Sequence, residues 1–391
     1  MKLNSAFSLA CLALAIHINS PAAEDEDITI RDWVGGPERP IPISMAGFTG
    51  EVQSILKFDL EVAGFEIVEP ETAQFNITGS NNGQVEGTVV DRISKATKLP
   101  RRAYTGGTPR TQTHALADDI VKAITGRAGI AKTKIAFKVE SSQGKSEIYV
   151  SDYDGANAIA VTKDDSMAVA PAWVPAKRWL FYTSYKSSWP DIYSHDLNTG
   201  ERKVVARYSG LNTSPAISPD GRFLAMILSK SGSPDVYVAN LDGTGLRQLT
   251  KTREDESSPC WSADGKNVCF VSRAGGRPAL YVVSADGGAM RQIKTIGAGS
   301  VTEPEWSPNG KWIVFTVLRR EFEICLVPAE GGEARTLAAG EDASWAPNSR
   351  TIIFARRVGN KRVLSLLDAP TKRVKDVKLN LGSASQPSWA K

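Results

Sequence analysis

Carboxylates are the chemistry-bearing side chains that this sequence places at recurring positions. Asp164, Asp165, Glu254, Asp255, Glu256, Glu303, Glu341 and Asp342 fall in short stretches that lead into related motifs such as "APAW", "SPCW", "EPEW" and "DASW". Oxygen donors of this kind suit Ca²⁺. A solvated acidic rim accounts for them more simply, so the sequence implies no metal site and no cofactor. Nucleophilic catalysis has little to work with. His114 and His195 are the histidines outside the apolar N-terminus, they fall in different segments, and no Gly-x-Ser-x-Gly elbow occurs; both read as packing or surface residues, and no catalytic residue is expected. Cysteines are few and lack a CxxC pair, which argues against zinc. Cys260 and Cys269 flank one "SADG" turn. With Gly265 as a bulge, Ser262 would oppose Lys266 and Cys260 would oppose Val268, an arrangement that points the two thiols to different faces and predicts no disulfide.

The elements that must carry these residues are written as a repeat. "APAWVPAKRWLFYT", "SPAISPDGRFLAMI", "SPCWSADGKNVCFV", "EPEWSPNGKWIVFT", "DASWAPNSRTIIFA" and a final "QPSWAK" align on Trp173, Ile217, Trp261, Trp306, Trp345 and Trp389, at intervals of 44, 44, 45, 39 and 44 residues. That period is the length of a four-stranded propeller blade. "SPDG" and "SPNG" suit a type I turn followed by a left-handed Gly, and the apolar run after each reads as a buried strand. The first blade, residues 133–162, lacks a Pro-x-Trp strand, and residues 385–390 at the end supply it. Six blades follow, the ring closing where residues 385–390 pair beside residues 134–139 and bury two sheet edges. The anchors read as packing between adjacent sheets.

Ahead of the repeat, residues 38–129 read as a small α/β domain. A helix is expected from about Gly50 to Ala63, stopped by Gly64, then a strand at Phe65 to Val68, a hairpin around Asn82-Gly83, and a second helix from about Thr111 to Thr125, stopped by Gly126. The start of the chain reads as an export signal, residues 1–22. It has Lys2 as its basic start, an apolar stretch to Ile18, and Ser20 and Ala22 in a small-x-small cleavage pattern. Cys11 in "FSLAC" raises lipid modification as an alternative, but Ser8 stands where Leu is expected and apolar sequence continues beyond. Cleavage after Ala22 takes the formal charge from +4 to +3 by removing Lys2. Mixed charges along the chain leave no electrostatic footprint for nucleic acid. Residues 23–37 read as a flexible arm, with Ile28, Ile30, Trp33 and Val34 as its apolar anchors.

The export signal, the α/β domain, the junction "ADDIVKAITGRAGIAKTKIAFK" (117–138), the stretch "SRAGGRPALYVVSADGGAMRQI" (272–293) and six WD40-like blades together resemble the TolB family of the Tol-Pal envelope system. The fold class expected is an α+β N-terminal domain (38–129) followed by an all-β six-bladed propeller (130–391). The resemblance implies a periplasmic protein-protein interaction scaffold, not an enzyme, that supports outer-membrane integrity and cell division. It implies docking of a Pal-like peptidoglycan-associated lipoprotein on the propeller, docking of a TolA-like envelope protein through the arm, and a monomer that spans no membrane once the signal is cleaved. Rival readings are a propeller enzyme of lactonase or lyase type, and a glycan- or peptide-binding sensor at the channel mouth. The loops "GLNTSP", "EDESSP", "SVTEP" and "GEDAS" collect at one mouth of the channel, and Asn212, Ser214, Ser257, Ser258, Thr302 and Glu303 are the partner contacts expected there. The interval of 39 and the missing turn Gly in "APNS" depart from the pattern and put a contact on that blade in doubt.

Overall fold

The computed structural model describes residues 37–141 and 144–391. The expected signal, and the arm residues Ile28, Ile30, Trp33 and Val34, lie outside the described residues.

Six four-stranded antiparallel sheets form a ring. In each, the strand nearest the axis is the one that ends in the anchor: Ser383–Trp389 in blade one, then Ala168–Trp173, Asn212–Ile217, Glu256–Trp261, Val301–Trp306 and Glu341–Trp345 in blades two to six. Blade one is completed by the C-terminal strand, which pairs with Lys134–Glu140 through Ala384↔Val139, Ser388↔Ala136 and Trp389↔Ile135. The first and last parts of the repeat therefore share one sheet, and closure pairs the edge of Lys134–Glu140 that would otherwise be free.

The turn that follows the anchor keeps its geometry in blades three to six even where its letters change. Gly221, Gly265 and Gly310 have φ of 67°, 68° and 75°, and Ser349 occupies the same place at 52°, whereas in blade two the left-handed residue is Ala176, one position earlier in the turn, at 56°. In the "APNS" turn, Asn348 Oδ1 accepts from the N–H groups of Arg350 and Thr351, both at 3.0 Å, which holds Ser349 in the conformation that Gly adopts elsewhere. The short interval arises elsewhere. Gly340 alone separates Ala339 from Glu341, where a longer loop joins the other blades, so the missing residues come from the wall of the channel mouth.

Residues 41–104 build a five-stranded sheet ordered Phe65–Ile67, Ile41–Ala46, Phe75–Ser80, Val85–Asp91, Thr97–Tyr104. Two helices pack on it: α1, Gly50–Val62, and α2, Pro109–Thr125. Both helices and the hairpin stand where the sequence predicts them, and α2 ends on Gly126 at φ 74°. The strands Ile41–Ala46, second in the sheet, and Thr97–Tyr104, at its edge, carry no strand signal that reasoning from sequence picked up.

One apolar core runs from this unit into blades one and six, joining Leu56, Phe65 and Leu116 to Phe137, Ile353 and Trp389. Polar locks surround it. Asp59 on α1 bonds His114 Nδ1 on α2 at 2.7 Å and accepts from the Tyr153 hydroxyl of blade one at 2.5 Å. The buried Arg350 guanidinium donates to both carboxylate oxygens of Asp368, at 2.5 and 2.9 Å, and to Glu38 at 3.4 Å. Arg350 lies in the turn after the anchor of blade six and Asp368 ends the strand beside it, so the N-terminal unit packs at that end of the ring, against blades one and six, and leaves the opposite mouth of the channel open.

Candidate functional site at the open channel mouth

Each inner strand enters the channel through a kink that the register makes visible. In every blade, the pairing of first and second strands skips where a residue and its successor, usually Pro, sit between ladder partners: between Thr213 and Ala216, Ser257 and Cys260, Thr302 and Glu305, Glu341 and Ser344, and Ser385 and Ser388, with the matching shift in blade two. This is a β-bulge, a place where a Pro without an N–H costs the ladder nothing. The first bulge residue is left-handed in all six blades: Ala170 at φ 52°, Ser214 at 55°, Ser258 at 51°, Glu303 at 52°, Asp342 at 58° and Gln386 at 49°. For residues other than Gly this costs about 1–2 kcal/mol each, and a following Pro narrows the options further. Strain repeated at one ring of positions and nowhere offset by Gly belongs to what the ring presents.

Neighbouring blades hold these residues in place. Glu303 Oε2 accepts from the Asp342 N–H at 3.1 Å, Asp342 Oδ2 from the Gln386 N–H at 3.0 Å, and Gln386 Oε1 from the Ala170 N–H at 3.0 Å. The chain of bonds passes on through Thr183 Oγ1, which accepts from the Ser214 N–H at 3.2 Å. Glu303 also accepts from Thr316 Oγ1 at 2.9 Å. The mouth so framed holds about 230 Å³, its floor a ring of Pro171, Pro215, Pro259, Pro304, Ala343 and Pro387. Beyond that floor lies a second cavity of about 350 Å³, walled by Trp173, Trp261, Trp306 and Trp389 and crossed by the Lys391–Glu305 ion pair.

The expected contacts divide. Ser214, Ser258 and Glu303 stand in the mouth ring. Ser257 is exposed and Thr302 half-buried, each one residue before a ring member. Asn212 is not a surface group: it is 1% exposed, its Nδ2 donates to the carbonyls of Pro190, Tyr208 and Gly210, and its Oδ1 accepts from the Tyr208 N–H at 2.7 Å. Its side chain folds the loop back on itself and has nothing left for a partner. Reasoning from sequence missed Ala170 and Gln386, and took Asp342 only as one of many acids. The signal was available, since each ring member lies three residues before an anchor.

The acidic mouth also contracts. Asp164 pairs with Arg202 at 2.7 Å, Asp165 with Lys145 at 2.6 Å, and Glu341 with Arg362. Glu256 is buried and accepts from Ser272, Thr252 and Thr250. Only Glu303 and Asp342 bring carboxylates to the mouth lining. Burial, and then the adjacent Glu303 carboxylate, push the Asp342 carboxyl up to about 8. Asp342 therefore keeps its proton at neutral pH and offers the mouth a donor beside the Glu303 oxygens. Among the described residues, no group of acidic, His or Cys side chains is arranged to hold a metal ion.

No acid-base pair with a nucleophile converges here. His114 lies in the contact between the N-terminal unit and blade one, and His195 is buried with its ring edge-on to Tyr182 at 6.2 Å between centroids. The anchors serve packing, as expected. Trp173 Nε1 donates to the Ser388 carbonyl at 3.1 Å, Trp261 to Ala216 at 3.0 Å and Trp345 to Glu305 at 3.2 Å, in each case to the residue just before the preceding blade's anchor. The cysteine register differs by one from expectation. The Ser262 N–H donates to the Asn267 carbonyl, not across to Lys266, so the turn is one residue longer and Cys260 faces Cys269 while Trp261 faces Val268.

Comparison with known proteins gives this geometry a family. Curated relatives include the Tol-Pal system protein TolB of Anaeromyxobacter dehalogenans strain 2CP-1, 30% identical over 238 residues that make up 50% of this chain and 53% of that protein. The TolB of Polaromonas naphthalenivorans is 30% identical over 188 residues, 40% of this chain and 43% of its own. The chain thus spans about half the length of the curated relatives it matches. Among solved structures, TolB from Acinetobacter baumannii superposes with a TM-score of 0.82 at 22% identity, covering 90% of this chain and 97% of that one, a likeness of fold. A chain of a nidogen/laminin complex reaches 0.55 at 15% identity, over 66% of this chain and 98% of that one, again a likeness of fold. The family model described as the TolB beta propeller domain matches residues 121–391, well over half of the sequence, and the chain belongs to that TolB β-propeller family.

Proposed function

We propose that this chain is a non-enzymatic scaffold of Tol-Pal type that docks a Pal-like peptidoglycan-associated lipoprotein at the open mouth of the propeller. The observation that carries this reading is the ring of six left-handed residues. It spends backbone strain to aim short polar side chains and two carboxylates outward from a rigid floor, and it assembles no nucleophile with a base. A standard interface centred there would bury roughly 800 Å² on each partner. The N-terminal unit occupies the other end of the ring, so a partner at the mouth and a TolA-like partner on the arm, residues 23–37, can be held by one molecule.

In this reading the protein works in the periplasm as a monomer and supports envelope integrity and division. Among the described residues, no helix is long and apolar enough to cross a membrane. The test is a pair of titrations with the soluble domains of a Pal-like and a TolA-like protein. Deleting residues 23–34 is expected to abolish TolA binding and leave Pal docking intact. Loss of both, with unfolding of the α/β unit, would make the segment a structural strand and sink its assignment as an arm.

A further inference from the structure

Cys260 and Cys269 stand opposite one another on the first two strands of blade four. The Ser262 N–H donates to the Asn267 carbonyl at 2.9 Å, which makes 262 and 267 a hydrogen-bonded pair. Antiparallel pairs alternate in type, so 260 and 269 are again a hydrogen-bonded pair, with Cα atoms about 5.5 Å apart. That separation lies inside the roughly 4.4–6.8 Å over which a disulfide closes without moving backbone. Partners in register share a face of the sheet, so the Cys260 and Cys269 thiols stand side by side. Around them Val271, Leu280, Ile313 and Phe315 form an apolar cluster between blades four and five.

Access is one-sided. Cys260 is 8% exposed and lines the cavity on the tryptophan side of the channel, whereas Cys269 is wholly buried. Cys325, the other cysteine among the described residues, sits on blade five with Thr336 as its neighbour at 3.6 Å. We propose that Cys260 and Cys269 form a redox modification site that closes to a cross-strand disulfide by exchange with a small external disulfide, such as oxidised glutathione.

The exchange balances in two steps. Cys260, after losing its proton, attacks one sulfur of the external disulfide, forms a mixed disulfide and expels the first thiolate. Cys269 loses its proton and attacks Cys260 Sγ, which expels the second thiolate. The two protons are taken up by the two released thiols. The external disulfide is thereby reduced and the cysteine pair oxidised. Because Ser257, Ser258 and Pro259 directly precede Cys260, closure pins the strand that carries one member of the mouth ring to its neighbour.

The native full-length protein, incubated with oxidised glutathione, quenched in acid and alkylated in denaturant without reductant, gives the test. Trypsin cuts after Arg253, Lys266 and Arg273, so Cys260 falls in residues 254–266 and Cys269 in residues 267–273. The expected product is these two peptides joined, two hydrogens lighter than their sum and separated by reductant, while Cys325 carries the alkyl label. Recovery of both peptides singly alkylated would overturn the proposal. So would glutathione retained on Cys260 with Cys269 still free, or a link that forms only when oxidation is done in urea. The Cys269→Ala protein is expected to stop at the glutathione adduct on Cys260; should that variant fail to fold, the wild-type measurement decides alone.

Discussion

The two ends of the channel are built from one repeat and treat it in opposite ways. At the end where the N-terminal unit packs, the six anchors are Trp173, Ile217, Trp261, Trp306, Trp345 and Trp389, nearly one residue type throughout. Three residues earlier in each blade, at the open end, stand Ala170, Ser214, Ser258, Glu303, Asp342 and Gln386. The backbone there is more uniform than the anchors are, left-handed in every blade, yet the side chains range from methyl to carboxylate. Six copies inside one molecule make an internal experiment. A position whose job is to fill the gap between sheets keeps its bulk, and a position whose conformation is fixed while its chemistry varies is free to be read by something else.

Substitutions should separate the two rings, and the largest effect lies in closing the circle. Deleting residues 383–391 removes the inner strand of blade one and one of the inter-blade Trp anchors, so urea denaturation should show loss of the cooperative propeller transition, not a shifted midpoint. Next comes Trp345→Ala. That side chain is 1% exposed and bonded to the Glu305 carbonyl, and its removal should cost about 3–5 kcal/mol by equilibrium unfolding. Partner affinity per folded molecule should stay unchanged.

The period, the turn chemistry and the closing strand were legible because each rests on residues with strong local preferences: Pro, Gly, Asn and Trp at fixed offsets. The mouth ring was legible only in part. Ala, Ser, Glu and Gln carry no left-handed preference of their own and Asp only a modest one, and the bulge is held by the Pro that follows in five blades and by bonds from neighbouring blades. Asn212 illustrates the converse. A polar residue in a mouth loop reads as a contact, but an amide side chain can also satisfy its own loop, and only the folded backbone shows that it does so. The cysteine register failed on a single residue of turn length, which in a strand exchanges one face for the other.

Protonation gives a smaller effect with a definite sign. Native Asp342 holds its proton to about pH 8, whereas the unfolded carboxyl releases it near 3.8. Between those limits the native state binds more protons than the unfolded state, so this group's contribution to stability is full below the lower limit and is lost as pH rises toward the upper one. Asp342→Asn keeps an acceptor for the Gln386 N–H and cannot ionise, so a plot of melting temperature against pH should fall less steeply for the variant across that window. Equal slopes would place the proton elsewhere. Smaller still is Ser258→Gly. Gly accepts the left-handed angle that Ser258 holds at φ 51° but frees the unfolded chain, so chemical denaturation should move by no more than about 1 kcal/mol.

The account stands on the claim that the varied ring recognises and the uniform ring supports. Ser258 suits a direct test, because it lines the mouth and its side chain is not one of the groups that bond blade to blade. Titrating the soluble domain of a Pal-like protein into wild type and Ser258→Arg should show a Kd raised at least about tenfold, from a bulky charge set into the centre of the contact, with an unchanged melting temperature. Equal affinities for the two proteins would place the partner away from the mouth and contradict the assignment of the ring to recognition.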